Sequence, residues 1–134
     1  MTQTMQFQLV SPERMLVDEQ VSEVQVPAAE GYLGVMPGHA PLLSELKAGG
    51  VLTYRAAGGE NALAVYGGFV EVQADRVRVL ADAAEFGREI DTEKARQRLA
   101  EATKAMEKPV GDCAAELAEF ARAQAAVDAA GRKF

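Results

Sequence analysis

Residues 5–9 read Met-Gln-Phe-Gln-Leu, with apolar and polar side chains in strict alternation. A period of two sends alternate side chains to opposite faces, so the stretch predicts a strand with one face inward and one in water. Ser11, Pro12 and Glu13 break it, and residues 15–17 suit a short second strand. In VSEVQV, residues 21–26, Val24 and Val26 share a face, and Val21 joins them only if a bulge intervenes. Residues 51–55 and 62–66 predict a hairpin across Gly58-Gly59, and residues 69–73 and 76–80 another across Ala74-Asp75. Residues 63–65 are apolar at consecutive positions, which suits a strand covered on both faces. Strands of about five residues with a turn signal roughly every ten predict an all-β sandwich over residues 3–84.

From Glu85 the period changes. Asp91 is a good N-cap, and Ala95, Leu99, Ala102 and Met106 recur at helical spacing as one narrow stripe. Lys108, Pro109, Val110 and Gly111 form a breaker, Asp112 caps a second helix, and Cys113, Leu117, Phe120 and Val127 form its stripe. Helices joined by so short a connection run antiparallel. The expected fold class is therefore α+β by segments, an N-terminal all-β sandwich at 1–84 followed by a C-terminal antiparallel two-helix hairpin at 85–134. Alanine fills nine positions between 112 and 130. Alanine favours helix but buries little area, so this hairpin is expected to hold its shape while detaching easily from the sandwich.

One stretch resists both periods. Residues 30–43, EGYLGVMPGHAPLL, hold three glycines, two prolines and the chain's one histidine. Glycine and proline specify the backbone path of a loop, and Tyr32, Leu33, Val35 and Met36 make it too apolar for an idle connector. Leu42 and Leu43 are expected to anchor its exit in the core. A shaped, partly apolar loop is a candidate contact surface.

Charge and chemistry narrow the classes. Fourteen basic against twenty acidic side chains give a net charge of −6, without a Lys/Arg cluster, which disfavours nucleic acid and anionic lipid. A single cysteine, Cys113, forms no internal disulfide, and one cysteine with one histidine makes no ordinary zinc site. No run of 18 apolar residues occurs, and the first residues lack a basic and an apolar export region, so no membrane insertion is expected. No phosphate loop with a following Lys-Ser/Thr is present, and His39 is expected to bond loop backbone or meet a partner rather than act as a base. Cys113 reads as a small apolar filler, and Glu85, Glu89 and Asp91 as a solvated linker with a cap.

The run EGYLGVMPGHAPLLSELKAGGVL, with LVSPER before it and YGGFVEV and VRVLAD after it, resembles the signature of the ε subunits of F-type ATP synthases, called δ in mitochondria. The resemblance spans nearly the whole chain, and in the last 45 residues it is one of layout more than identity. It implies a non-catalytic rotor subunit of a proton-translocating complex, peripheral on the cytoplasmic face of the bacterial inner membrane. It implies that Glu30, Gly31 and Tyr32 face the c-ring and that Ser11 and His39 lie near the γ subunit. It also implies a regulatory hairpin that reaches the catalytic β subunit transiently. Relatives rely on a basic second helix for inhibition, whereas residues 112–130 here hold only Arg122, so weak inhibition is expected. No cofactor is required, but members that sense ATP carry I-D-x-x-R-A. Here Ile90, Asp91, Lys94 and Ala95 take those positions, and Glu85 matches an acidic residue of the site. Two readings stay open there: a helix cap beside a solvated lysine, or a regulatory ATP site. The alternative class for the whole chain is a free-standing β-sandwich interaction module that docks another complex.

Overall fold

The structure is a computed structural model that describes residues 3–107 and 114–132. Nine strands are described: β1 (Met5–Val10), β2 (Met15–Ala28), β3 (Gly31–Val35), β4 (Leu42–Glu45), β5 (Gly50–Ala56), β6 (Gly59–Val65), β7 (Gly68–Val72), β8 (Arg76–Ala81) and β9 (Ala84–Phe86). A 3-10 turn (Gly87–Glu89) leads to helices α1 (Thr92–Glu107) and α2 (Ala114–Ala130). The strand order is β4-β7-β8-β1-β2-β5-β6-β9, with β3 on the far half of β2. All pairs are antiparallel except β1 with β8.

The long strand β2 joins the two layers. Its first half pairs with β1, from Met15 opposite Val10 to Val21 opposite Met5, and its second half pairs with β3 and β5. Between Val21 and Glu23 it advances two residues while β5 advances one, from Ala56 to Arg55. That bulge bends the strand and restores its parity, so Val21, Val24 and Val26 are all fully buried. The expected bulge is present. The expected break into two strands is not, because a bulged strand continues its ladder on both sides. Met5, Phe7 and Leu9 point inward as the alternation requires, and the Phe7 ring lies 5.1 Å from that of Tyr54 across the core.

Several boundaries moved. The 30–43 stretch is not one loop: Gly31–Val35 pairs with β2 and Leu42–Glu45 with β7, which leaves Glu30 in a turn and residues 36–41 irregular. Leu42 and Leu43 do not anchor in the core; Leu43 is 70% exposed. The β5–β6 turn is Ala57-Gly58, since Ala56 pairs with Gly59. The sheet runs on through Phe86 by pairing β9 with β6.

In β6, Ala62, Leu63, Ala64 and Val65 are all buried. Leu63 and Val65 face the sandwich core, while Ala62 and Ala64 face a second cluster with Val51, Ala125 and Ala129. The strand is covered on both faces because α2 lies against β5 and β6, with α1 against α2. The α1 stripe is as expected, with Ala95 and Ala102 buried. That of α2 is not. Its buried residues are Ala123, Ala125, Ala126, Ala129 and Ala130, while Leu117 is half exposed and Phe120 and Val127 are half-buried. The breaker at 108–111, the Asp112 cap and Cys113 lie outside the described residues.

The alanine face has a steric cause. A Cβ on Gly49 would stand 2.4 Å from the carbonyl oxygen of Ala121, and one on Gly87 would stand 2.2 Å from that of Ala129. The α2 backbone comes so close to the sandwich at these two points that no larger side chain fits between them. The substitution Gly49→Ala is therefore expected to weaken hairpin docking by about 1–3 kcal/mol, the usual range for overpacking. Amide exchange is expected to quicken across α1 and α2 and to stay unchanged in β1, β2 and β8. Equal protection in both proteins would contradict this contact.

Candidate functional site

Two places gather the residues singled out by sequence. The first is the outer face of β7, β8, β1 and the start of β2. Alternation turns Val70, Val72, Val77 and Val79 inward, so Phe69 and Leu80 point outward despite being apolar. Phe69 pairs with Leu80, Leu80 with Val10 and Val10 with Met15. These four form one row across four strands, roughly 14 Å long at the usual strand spacing. Met15, Phe69 and Leu80 are each about half exposed, and Leu43 stands on the neighbouring row opposite Glu71. Val10, Leu43, Phe69 and Leu80 carry a sequence signal, each being an apolar residue on the polar phase of its strand, whereas Met15 shares the phase of buried Val17 and is turned outward by the register shift between Val17 and Met15.

Ser11 and His39 stand at opposite ends of this face. The Ser11 amide and hydroxyl both donate to the Arg14 carbonyl, at 2.9 and 3.2 Å, which closes the turn beyond the Val10–Leu80 end. At the other end the Gly38 amide donates to the Ala74 carbonyl at 2.7 Å, with Gly38 at φ +90°, a conformation glycine adopts without strain. The His39 ring Nδ1 is 2.7 Å from the Ala40 carbonyl, so that nitrogen carries the proton and donates to loop backbone. The bland alternative for this histidine is thus the observed one.

Glu30 lies with Ala29 in the β2–β3 turn, near the C-terminal end of β4, and Gly31 and Tyr32 open β3. The Ala29 amide donates to the Glu45 carbonyl at 2.8 Å, and Gly31 takes φ +140°. The Tyr32 hydroxyl accepts the Val51 amide at 3.2 Å, and the Lys47 ammonium sits 5.5 Å from the ring centroid. Tyr32 is therefore fixed in place while more than half of it faces solvent.

The second place is the hinge between sandwich and hairpin. Glu85, Ile90, Asp91, Lys94 and Ala95 line one cleft of about 190 Å³, together with Arg98 and Ala126. Asp91 Oδ1 accepts the amides of Glu93 and Lys94 at 3.1 and 3.2 Å, so it caps α1. The Tyr66 hydroxyl donates to Glu85 at 2.5 Å. Burial first, then that carboxylate, push the Tyr66 phenol well above its ordinary range. Arg98 grips Glu119 of α2 with two bonds, Nε to Oε1 at 2.6 Å and a terminal nitrogen to Oε2 at 3.1 Å. The bond with Arg98 holds the Glu119 carboxyl below the usual range and raises the guanidinium in turn. Both side chains are about 40% exposed, so this pair is worth on the order of 1 kcal/mol at most. Arg122 lies 3.7 Å from the same carboxylate. Arg98 was within reach of sequence reasoning, four residues beyond Lys94 on the same helix face. Glu119 was not, because its position depends on how the two helices align.

Among the described residues no helix is long and apolar enough to cross a membrane. The family model for the ATP synthase delta/epsilon chain, beta-sandwich domain, matches residues 4–87. The ATP synthase epsilon chain of Solibacter usitatus is 49% identical over 135 residues, spanning 99% of this chain and 100% of that one. The epsilon chain of Moorella thermoacetica is 42% identical and spans 96% and 97%. Among solved structures, a chain in the mitochondrial ATP synthase assembly of Euglena gracilis, described as OSCP/F1/c-ring, superposes with a TM-score of 0.72 at 24% identity, spanning 93% of this chain and 76% of that one. One in the central stalk/c-ring of the Tetrahymena thermophila enzyme gives 0.62 at 19%, spanning 96% and 94%. At those identities the two structures speak to the fold alone. A match over most of the sandwich, and relatives aligned nearly end to end, mean that this chain belongs to the ATP synthase delta/epsilon chain family.

Proposed function

We propose that this chain is the non-catalytic clamp of the rotary central stalk in a proton-translocating F-type ATP synthase, gripped by the γ subunit on one face and by the c-ring at one rim. Rotation of the ring then reaches the catalytic sector without slip. The observation that carries this reading is the row Phe69, Leu80, Val10 and Met15, with Leu43 beside it. An apolar band on the outside of a stiff sheet marks a surface that is covered in use. We assign it to γ, with Ser11 and His39 at its two ends. The segment at Glu30, Gly31 and Tyr32 is assigned to the c-ring, because its bonds to β4 and β5 carry load directly into the sheet. Such partners place the chain as a peripheral subunit on the cytoplasmic face of the bacterial inner membrane.

The hairpin is the regulatory part, docked on the sandwich here and able to reach the catalytic β subunit transiently. Arg122 is the one basic residue between 112 and 130, and it already lies beside Glu119. Its attraction to an acidic partner is worth about 1 kcal/mol at most, so inhibition of ATP hydrolysis is weak. No cofactor is required for the clamp. The hinge cleft is the place for a regulatory ATP, since all five motif residues line it. Lys94 offers a point charge without the planar fork of arginine, and Arg98 is occupied by Glu119, so the affinity is no better than millimolar.

Three outcomes test this. Phe69→Asp with Leu80→Asp is expected to abolish capture of γ by the tagged chain, a loss of at least about 2 kcal/mol or roughly 30-fold, with thermal unfolding little changed. Capture at wild-type strength would remove the assigned face. Ending the chain after Glu89 is expected to raise ATP hydrolysis by the whole enzyme less than about fivefold, the factor that 1 kcal/mol represents; release many times larger contradicts weak inhibition. Calorimetry with ATP is expected to show no saturable heat below about 1 mM, about −4 kcal/mol, and tight binding would overturn the weak-affinity assignment.

A further inference from the structure

We propose that the open edge of β3 pairs with the same edge of a second copy, so that the unassembled chain is a weak twofold dimer. Among the described strands β3, β4 and β9 each have one neighbour. Natural edges are blunted by charge, proline or shortness, because unpaired amides and carbonyls are a template for another strand. β4 follows Pro41 and carries Glu45, and β9 has three residues with Glu85 among them. β3 is Gly-Tyr-Leu-Gly-Val, five residues with none of these devices.

The direction of its polar groups follows from its neighbour. Ala28 pairs with Gly31 on one side of β2 and bridges Leu46 on the other, where the Lys47 amide donates to the Pro27 carbonyl at 3.0 Å. Pro27 therefore turns its carbonyl away from β3. Antiparallel pairs alternate between bonded and unbonded, so Pro27–Tyr32 and Gln25–Gly34 are the unbonded ones. The amides and carbonyls of Tyr32 and Gly34 accordingly point off the open edge, where no strand meets them among the described residues. Both residues are exposed.

This edge is complementary to itself. In an antiparallel pair centred on Leu33, Tyr32 of each copy meets Gly34 of the other, and each such pair exchanges two backbone bonds. Val35 then meets Gly31, and Glu30 meets Met36 rather than a second carboxylate, so large side chains face glycines and no charge opposes its like. A register centred on Tyr32 sets the two tyrosines against each other instead. The Leu33 register has the twofold symmetry of an interface that closes on itself.

Size sets the strength. Standard interfaces cover about 800 Å² with some 20–30 residues a side, so the five residues of β3 cover roughly 150 Å² per copy. That is far below what a permanent dimer needs, and the pair separates on dilution. It covers Gly31 and Tyr32, so a paired chain cannot reach the c-ring and a freed one can. This last consequence rests on assigning that segment to the ring; the pairing does not.

The test uses the full chain with Cys113→Ser, in which Leu33→Cys and Tyr32→Cys are compared under air oxidation at about 0.15 M salt, where repulsion between copies of charge −6 is screened. At the unbonded centre the two Cβ atoms of residue 33 come within disulfide reach, while those of residue 32 lie on opposite sides of it. Leu33→Cys is expected to link at least about tenfold faster, since it alone meets the geometry of the bond. Sedimentation of the Cys113→Ser chain is expected to show a monomer–dimer equilibrium with a Kd between about 0.1 and 1 mM, abolished by Gly34→Lys. A Cβ on Gly34 meets only the amide end of the Gln25 side chain, at 3.3 Å, so the lysine leaves the β2–β3 ladder intact, and unchanged amide protection of the sheet checks this. Equal linking at both positions overturns the pairing, as does a Gly34→Lys chain that dimerises like its parent or a parent that stays monomeric at about 1 mM. The linked dimer is expected to be excluded from c-rings that the reduced chain joins together with γ. Equal binding by the two overturns the exclusion, and failure of the reduced chain to bind overturns the ring assignment while the pairing stands.

Discussion

Everything in this molecule hangs on one strand that serves two layers. β2 pairs with β1 over its first half and with β3 and β5 over its second, and the extra residue between Val21 and Glu23 turns it from one to the other. Without the bulge, a period of two would put Val21 and Val24 on opposite faces, and one of them would meet water. With it, a single hydrogen-bonded ladder runs from β4 to β9, and the two layers cannot shear without breaking that strand. Resistance to shear is the mechanical property a rotor clamp needs.

The two outward surfaces of the sandwich are finished by different physics. One carries large apolar side chains that stand free, Phe69, Leu80 and Met15, and so has area to offer a partner. The other is lined by Val51, Ala62 and Ala64 and closed by alanines of α2, where backbone meets backbone at Gly49 and Gly87. Such a contact is close but buries little apolar area per residue, since alanine has one methyl group to contribute. Shape therefore matters more than area there, and the hairpin is held on the sandwich by fit rather than by a deep core, while the Arg98–Glu119 clasp joins its two helices to each other. A permanent partner on one face and a separable segment on the other are what these two finishes suit. Membership of the ATP synthase family selects the rotor over the free-standing interaction module that the sandwich alone would equally fit.

The local signals were legible in this chain wherever one residue's neighbours in sequence were also its determinants. The alternation at Met5, Phe7 and Leu9, the bulge needed by Val21 and the Asp91 cap were all readable, because each depends on bonds or parities within a few residues. The five hinge residues came from a motif, and the cleft does collect them. The readings that failed required knowledge of a distant partner. Leu42 and Leu43 looked like core because they are leucines, yet β4 lies at the end of the strand order. Leu117 and Phe120 looked like the buried stripe of α2, yet the α2 backbone approaches Gly49 and Gly87 closely and turns its alanine face inward.

By itself, then, the sequence determined the sandwich-then-hairpin order and the family, since periodicity and a long ordered motif are properties of the chain read in line. Tertiary structure alone decided which apolar residues stay outside, which face of α2 turns inward, and that Arg98 meets Glu119. The physical reason is that exposure and pairing are set by what packs against a residue from tens of positions away. Periodicity carries no record of that neighbour.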